Sequence, residues 1–211
     1  MLKFKNYLFD LDGTLTDPGV GIKNSIRYAL KKFGLPIPSE QILNEFIGPP
    51  LVDSFQKYCG ANETDAKTLV AMYREYFAVT GYLENSLYED TVYVLAEIKK
   101  QGGRIFLATS KPEIYAVKIL EHFDILKYFD FCAGNDLSEA RPKKSDVIAY
   151  LIDSTNICPK DSVMIGDRKY DVEGANVFSI PTAAVLHGYG SREELKNAAY
   201  ILEEFTDLLK I

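Results

Sequence analysis

Four short segments of the 211-residue chain carry acids, hydroxyls and lysines at spacings suited to chemistry on a charged group. Asp10 and Asp12 flank Leu11, so in extended backbone their carboxylates share a side. Gly13 then lets the chain turn sharply before Thr14. Thr109, Ser110 and Lys111 follow one apolar run, and Asp167 and Asp171 follow another. Lys143 and Lys144 precede a helical pattern that starts near Ser145. Asp10, Asp12 and Asp167 together would concentrate negative charge, which is costly unless a cation neutralises it. Hard oxygen donors of this kind suit Mg2+, which keeps several waters and binds through a few carboxylates plus a substrate phosphate. One carboxylate can act as a nucleophile and carry a phosphoryl group, while a second protonates the leaving oxygen and later activates water. A nearby lysine and hydroxyl can hold phosphoryl oxygens as charge moves toward the leaving group.

The elements that must position these groups are short apolar runs alternating with amphipathic segments. Asn6–Phe9, Arg104–Thr109, Tyr128–Ala133, Ser162–Gly166 and Pro181–Leu186 read as buried parallel strands. Val92–Lys100, Ile114–His122 and Val147–Ile152 read as amphipathic helices. Ser191 followed by Glu194 reads as a capping box that opens a further helix. Such alternation predicts a doubly wound α/β sheet, and open parallel sheets bind ligands at the carboxyl ends of their strands. Three strands then deliver acids or hydroxyls to one edge.

The stretch from about Pro18 to Ser86 breaks this rhythm. It reads as helical throughout, over Gly21–Phe33, Ser39–Phe46, Leu51–Tyr58 and Glu63–Val79, with Gly/Pro-containing turns between. We therefore expect a helical insert at 17–86 and a core made of 1–16 and 87–211. Tyr73, Tyr76 and Phe77 fall at helical spacing and read as insert core rather than a base-stacking platform.

Composition narrows the function classes. Hydrophobic residues are 47% and charged residues 26%, which excludes disorder and coiled coil as the main state. A net charge of −6 without a basic run argues against nucleic-acid polymers and anionic membranes as partners. Cys59, Cys132 and Cys158 are scattered, consistent with reduced thiols and a cytoplasmic location. With only His122 and His187, a histidine-built zinc site is not expected.

The four segments together resemble the signatures of the haloacid dehalogenase-like phosphatases. Asp10-Leu11-Asp12-Gly13-Thr14-Leu15-Thr16 is similar to the first, Ala108-Thr109-Ser110-Lys111-Pro112 to the second, and Lys144-Ser145-Asp146-Val147-Ile148 to the third. Ile165-Gly166-Asp167-Arg168-Lys169-Tyr170-Asp171 is similar to the fourth. Lys143 is adjacent to Lys144, and the spacing to Val147 and Ile148 favours Lys144. The resemblance implies a Rossmann-like doubly wound parallel sheet with an inserted all-helical cap that closes over the site. It implies Asp10 as nucleophile, Asp12 as acid/base, Thr109 on the transferring phosphoryl group and Lys144 neutralising its charge. Gly13, Thr14 and Ser110 belong to the same phosphate-binding set. Asp10, Asp167 and the carbonyl of Asp12 would bind Mg2+, with Asp171 supporting the metal directly or through water. Phe46-Ile47-Gly48-Pro49-Pro50 and the stretch from His187 to Leu195 look most like the phosphoglycolate phosphatase-like branch. A 5′-nucleotidase, a sugar-phosphate phosphatase or mutase, and an inactive phosphatase-like binding module are the alternatives. The implied partner is a small phosphorylated metabolite, and the implied assembly a monomer or homodimer. Where that family often has an acid followed by glycine, this chain has Glu89-Asp90.

Overall fold

The structure is a computed structural model that describes residues 2–138 and 140–211. The chain divides into two compact units, Met1–Thr16 with Leu87–Ile211, and Asp17–Ser86. The first unit is built on a six-stranded sheet of β1 (Asn6–Phe9), β4 (Arg104–Pro112), β5 (Phe131–Asn135), β6 (Ser162–Gly166), β7 (Thr182–Val185) and β8 (Tyr200–Leu202). Its order is β5-β4-β1-β6-β7-β8, with every pairing parallel. The order reverses direction between β1 and β6, the switch point at which such sheets open a crevice.

Apolar runs without alternation form these strands because both faces are covered. Leu8, Phe106, Ala108 and Met164 pack on one side with Val147, Ile148 and Leu151 of α7 (Lys144–Thr155) and Ala175 of α8 (Lys169–Asn176). The alternate residues Tyr7, Phe9, Ile105, Leu107, Val163 and Ile165 are equally buried. On that side Phe9 meets Phe205 of the C-terminal 3-10 turn edge to face, 6.3 Å between ring centres. Truncating such a side chain, Phe106→Ala for instance, costs about 3–5 kcal/mol.

The chain leaves the first unit through β2 (Thr16–Asp17) and returns through β3 (Ser86–Leu87), two short strands that pair with each other. Between them lie α1 (Gly19–Phe33), α2 (Glu40–Asn44), α3 (Leu51–Cys59) and α4 (Glu63–Tyr76). Asn62 caps α4 by accepting the Asp65 N–H at 2.9 Å. Tyr73 and Phe77 are buried with their rings stacked at 5.4 Å, so this aromatic pair is packing. The helix expected over Glu63–Val79 changes at Tyr76 to a wider π turn, Phe77–Gly81. There Gly81 lies against the backbone of Gly21, and a Cβ on Gly21 would overlap the Gly81 carbonyl.

Two expectations need correction. The strand placed at Tyr128–Ala133 begins instead at Phe131, because Leu126–Tyr128 forms a 3-10 turn and the Asp130 carboxylate accepts the Ile105 N–H at 2.8 Å. No helix starts at Ser191. The Ser191 hydroxyl does accept the Glu194 N–H at 3.2 Å, but the Glu194 side chain is drawn to Arg168 at 2.9 Å and to the Lys169 N–H at 3.0 Å. Half a capping box remains, and the segment runs through turns into β8, a strand that was not foreseen. At Glu89-Asp90, Asp90 adopts φ 63, the left-handed conformation for which glycine is suited.

Candidate active site

The end of β1 delivers Asp10, whose N–H extends the ladder to the Ile165 carbonyl at 2.9 Å. Its Oδ1 accepts the Leu11 N–H at 2.8 Å and lies 3.0 Å from Lys144 Nζ. Among the described residues no bond reaches Oδ2. Gly13 turns at φ 84, and a Cβ there would overlap the Asp167 carboxylate. Asp12 is largely buried and pairs with Lys111 Nζ, while its Oδ1 has no hydrogen-bond partner among the described residues.

Strand β4 loses its register between Ala108 and Pro112, which frees its end to present side chains. Thr109 is buried, and its Oγ1 accepts the Lys111 N–H at 3.3 Å. Ser110 is half-buried beside it. From the first turn of α7, Lys144 places Nζ 2.8 Å from Asp171 Oδ1 and donates to the Ala108 carbonyl at 2.9 Å, besides facing Asp10. The ammonium thus donates to one carbonyl and forms ion pairs with two carboxylates. Lys143 is exposed, and Lys144 is the lysine that meets the acids.

The end of β6 delivers Asp167, and the first turn of α8 delivers Asp171. Asp167 Oδ2 accepts the Tyr189 N–H at 2.8 Å, and Oδ1 accepts the Thr14 hydroxyl at 3.3 Å. Asp171 Oδ2 caps α8 through the Arg168 N–H at 3.1 Å, so one carboxylate serves both the helix and the site. Gly166 and Gly174 leave no room for a Cβ beside Asp171 and the Lys144 stem respectively.

Oxygens of Asp10, Asp167 and Asp171 all lie within 4.8 Å of one another. The structure therefore replaces Asp12 by Asp171 as the third carboxylate of the cluster. Gly13 bends the chain away from extended backbone, and Lys111, distant in sequence, holds the Asp12 carboxylate. Burial, with Asp171 and Asp10 adding repulsion, pushes Asp167 up to about 8. Burial pushes Asp171 up to about 6, against the attraction of Lys144. Burial also raises Asp12 despite Lys111 beside it. Burial opposes the charge on Lys144, but Asp10 and Asp171 outweigh it and hold the ammonium. Lys144 faces two of the three buried carboxylates, Asp10 and Asp171, so with Asp167 ionised the group holds an excess of negative charge. Closely spaced hard oxygens with unsatisfied charge fit a divalent cation such as Mg2+.

Asp10, Lys144, Asp167 and Asp171 are in direct contact or within one cluster, and Gly13 and Thr14 brace Asp167. The Thr14 hydroxyl, expected on phosphate, is spent on Asp167. Sequence reasoning left Lys111 outside the site set, although it follows Thr109-Ser110 at the same strand end. The stretch from His187 was singled out only for its family likeness, and the contact of the Tyr189 N–H with Asp167 was not foreseen. Arg168 is engaged by Glu194.

A family model described as haloacid dehalogenase-like hydrolase matches residues 7–185. The chain belongs to that family. It is 38% identical over 195 residues to a 5′-nucleotidase of Pseudomonas aeruginosa, covering 92% of this chain and 88% of the relative. A phosphoglycolate phosphatase of Yersinia pseudotuberculosis is 29% identical, covering 99% and 94%. The tyrosine-protein kinase PtkA of Mycobacterium tuberculosis is also 38% identical over 87% of this chain, which spans only 62% of that relative. Among solved structures, a predicted phosphatase from Clostridium acetobutylicum shares 41% identity and a TM-score of 0.93, with 100% of both chains covered. This haloacid dehalogenase-like protein is a phosphatase hydrolase built on a Rossmann-like α/β core. No helix among the described residues is long and apolar enough to cross a membrane.

Proposed function

We propose that the chain is a Mg2+-dependent phosphomonoesterase acting on small phosphate esters through an aspartyl-phosphate on Asp10. The observation that carries this reading is the buried group of Asp10, Asp167 and Asp171 opposite a single lysine. Asp10 Oδ2 attacks phosphorus, forming the Asp10–phosphorus bond as the ester oxygen leaves. Asp12 protonates that oxygen, and the rise in its pKa on burial suits a proton donor. In the second step Asp12 takes a proton from water, the water oxygen bonds phosphorus, and Asp10 is released. Lys144 and the Thr109 hydroxyl hold the phosphoryl oxygens, with Ser110 alongside. Asp10, Asp167 and the Asp12 carbonyl would hold Mg2+, supported by Asp171, and the bound cation supplies positive charge to the phosphoryl oxygens. The helical unit Asp17–Ser86 acts as the substrate-selecting cap.

Phosphoglycolate is the substrate implied by the resemblance at Phe46–Pro50. Nucleoside 5′-monophosphates are the second reading, favoured by the higher identity to the 5′-nucleotidase. Phosphate release from phosphoglycolate, nucleoside monophosphates, pyrophosphate and sugar phosphates, with Mg2+ and with chelator, tests both. Selective release that stops on chelation is expected. Release unaffected by chelation would sink the metal-dependent reading.

A further inference from the structure

We propose that His187 is a positioning residue for the acidic cluster: its ring N–H holds the Thr14 carbonyl so that Thr14 and Tyr189 together clamp Asp167. The inference rests on the metal reading above, because a clamped Asp167 matters for holding a cation. His187 Nε2 lies 3.0 Å from the Thr14 carbonyl oxygen. A carbonyl can only accept, so Nε2 carries the ring proton. From that same residue, Thr14 sends its hydroxyl to Asp167 Oδ1 at 3.3 Å. Two residues beyond His187, the Tyr189 N–H reaches Asp167 Oδ2 at 2.8 Å. Both oxygens of Asp167 are therefore gripped by the two backbone segments that His187 ties together.

The tie has little slack. A Cβ on Gly188 would overlap the Gly13 carbonyl and Asp167, and one on Gly190 would overlap the Asp167 carbonyl. The imidazole is seated between aromatic rings, 4.3 Å from Tyr88 and 5.4 Å from Phe205, the latter edge-on. That seat fixes the ring plane and aims the N–H at Thr14. Without the N–H, the Thr14 carbonyl loses this donor, and the 13–14 segment can turn its hydroxyl off Asp167. Partners that orient metal-binding side chains contribute to metal affinity without touching the metal.

The test is a Mg2+ titration followed by melting temperature, without substrate, on wild type, His187→Phe and His187→Gln. Phenylalanine keeps the seat between the rings and loses the donor. Glutamine loses the ring but can place an amide N–H near the position of Nε2. Removing such an orienting partner costs on the order of 10–100-fold in metal affinity. We expect His187→Phe to need at least about tenfold more Mg2+ for the half-maximal shift, and His187→Gln to stay within about threefold of wild type. A purely packing role reverses that order. His187→Phe matching wild type, or His187→Gln as weak as His187→Phe, overturns the assignment and leaves the metal reading standing. A wild type whose melting temperature ignores Mg2+ overturns both.

Discussion

The two units use charge in opposite ways. In Asp17–Ser86, Lys67 pairs with Glu63 and Lys32 with Glu75 in water, with 44–70% of each side chain exposed. At the sheet edge of the other unit, the Lys144 side chain is 3% exposed and faces Asp10 and Asp171 at 13% and 1%. Surface pairs of the first kind are worth little, since solvent screens them and ordering long side chains costs entropy. A buried group with more acids than bases is unfavourable by itself. Its persistence in a folded chain points to a ligand that completes it, whereas the surface pairs need no explanation beyond solubility.

Substitutions at matched positions sharpen the contrast. Asp12→Asn should lower the rate of phosphate release by about 10²–10⁴, the usual loss for a missing acid/base, while Glu63→Gln leaves it unchanged. A rate for Asp12→Asn within a few-fold of wild type removes that residue from the chemistry. Lys144→Met leaves Asp10 and Asp171 without their buried cation and should cost about 3–5 kcal/mol in denaturant unfolding of the metal-free protein. Mg2+ should recover part of that loss. Lys67→Met should leave the melting temperature unchanged, and equal effects at the two lysines would erase the distinction between the units.

The pH dependence has a defined sign. Asp167 titrates at about 8 in the folded metal-free chain and near its ordinary low value when unfolded. Between those values the folded state holds a proton that the unfolded state has lost, so stability falls as pH rises through the window. Asp171, pushed up to about 6, adds to the fall at its lower end. Calorimetry at pH 6 and pH 8 should show a lower metal-free melting temperature at pH 8 and a larger upward shift on adding Mg2+. A shift of equal size at both pH values contradicts deprotonation on binding. The smallest effect lies outside both charge systems: Asp90→Gly removes a left-handed aspartate and should stabilise by up to about 1 kcal/mol.

What could be read from sequence follows from how local each determinant is. The central strands were legible because burial on both faces makes them continuous apolar runs, as at Asn6–Phe9 and Ser162–Gly166. Asp10, Thr109, Lys144 and Asp167 were legible because each sits where such a run ends or a helix begins. The partner of the Asp12 carboxylate was not legible, because Lys111 lies 99 residues away in sequence. The same holds for Glu194, whose capture by Arg168 undoes a capping box that looks complete locally. Strand β8 is three residues at a sheet edge, too short to show a period. The clamp of His187 and Tyr189 on Asp167 joins loops more than twenty residues apart, and glycine spacing alone does not say what those loops approach.

The central claim is that Asp10 carries the phosphoryl group. Acid-quenching wild type and Asp10→Asn during turnover of a phosphorus-labelled substrate with Mg2+ tests it directly. We predict label retained on wild-type protein, stable in acid and released by hydroxylamine as an acyl phosphate, with none on a folded Asp10→Asn variant. Label retained on Asp10→Asn, or wild-type turnover with no labelled protein at any quench time, would contradict the account.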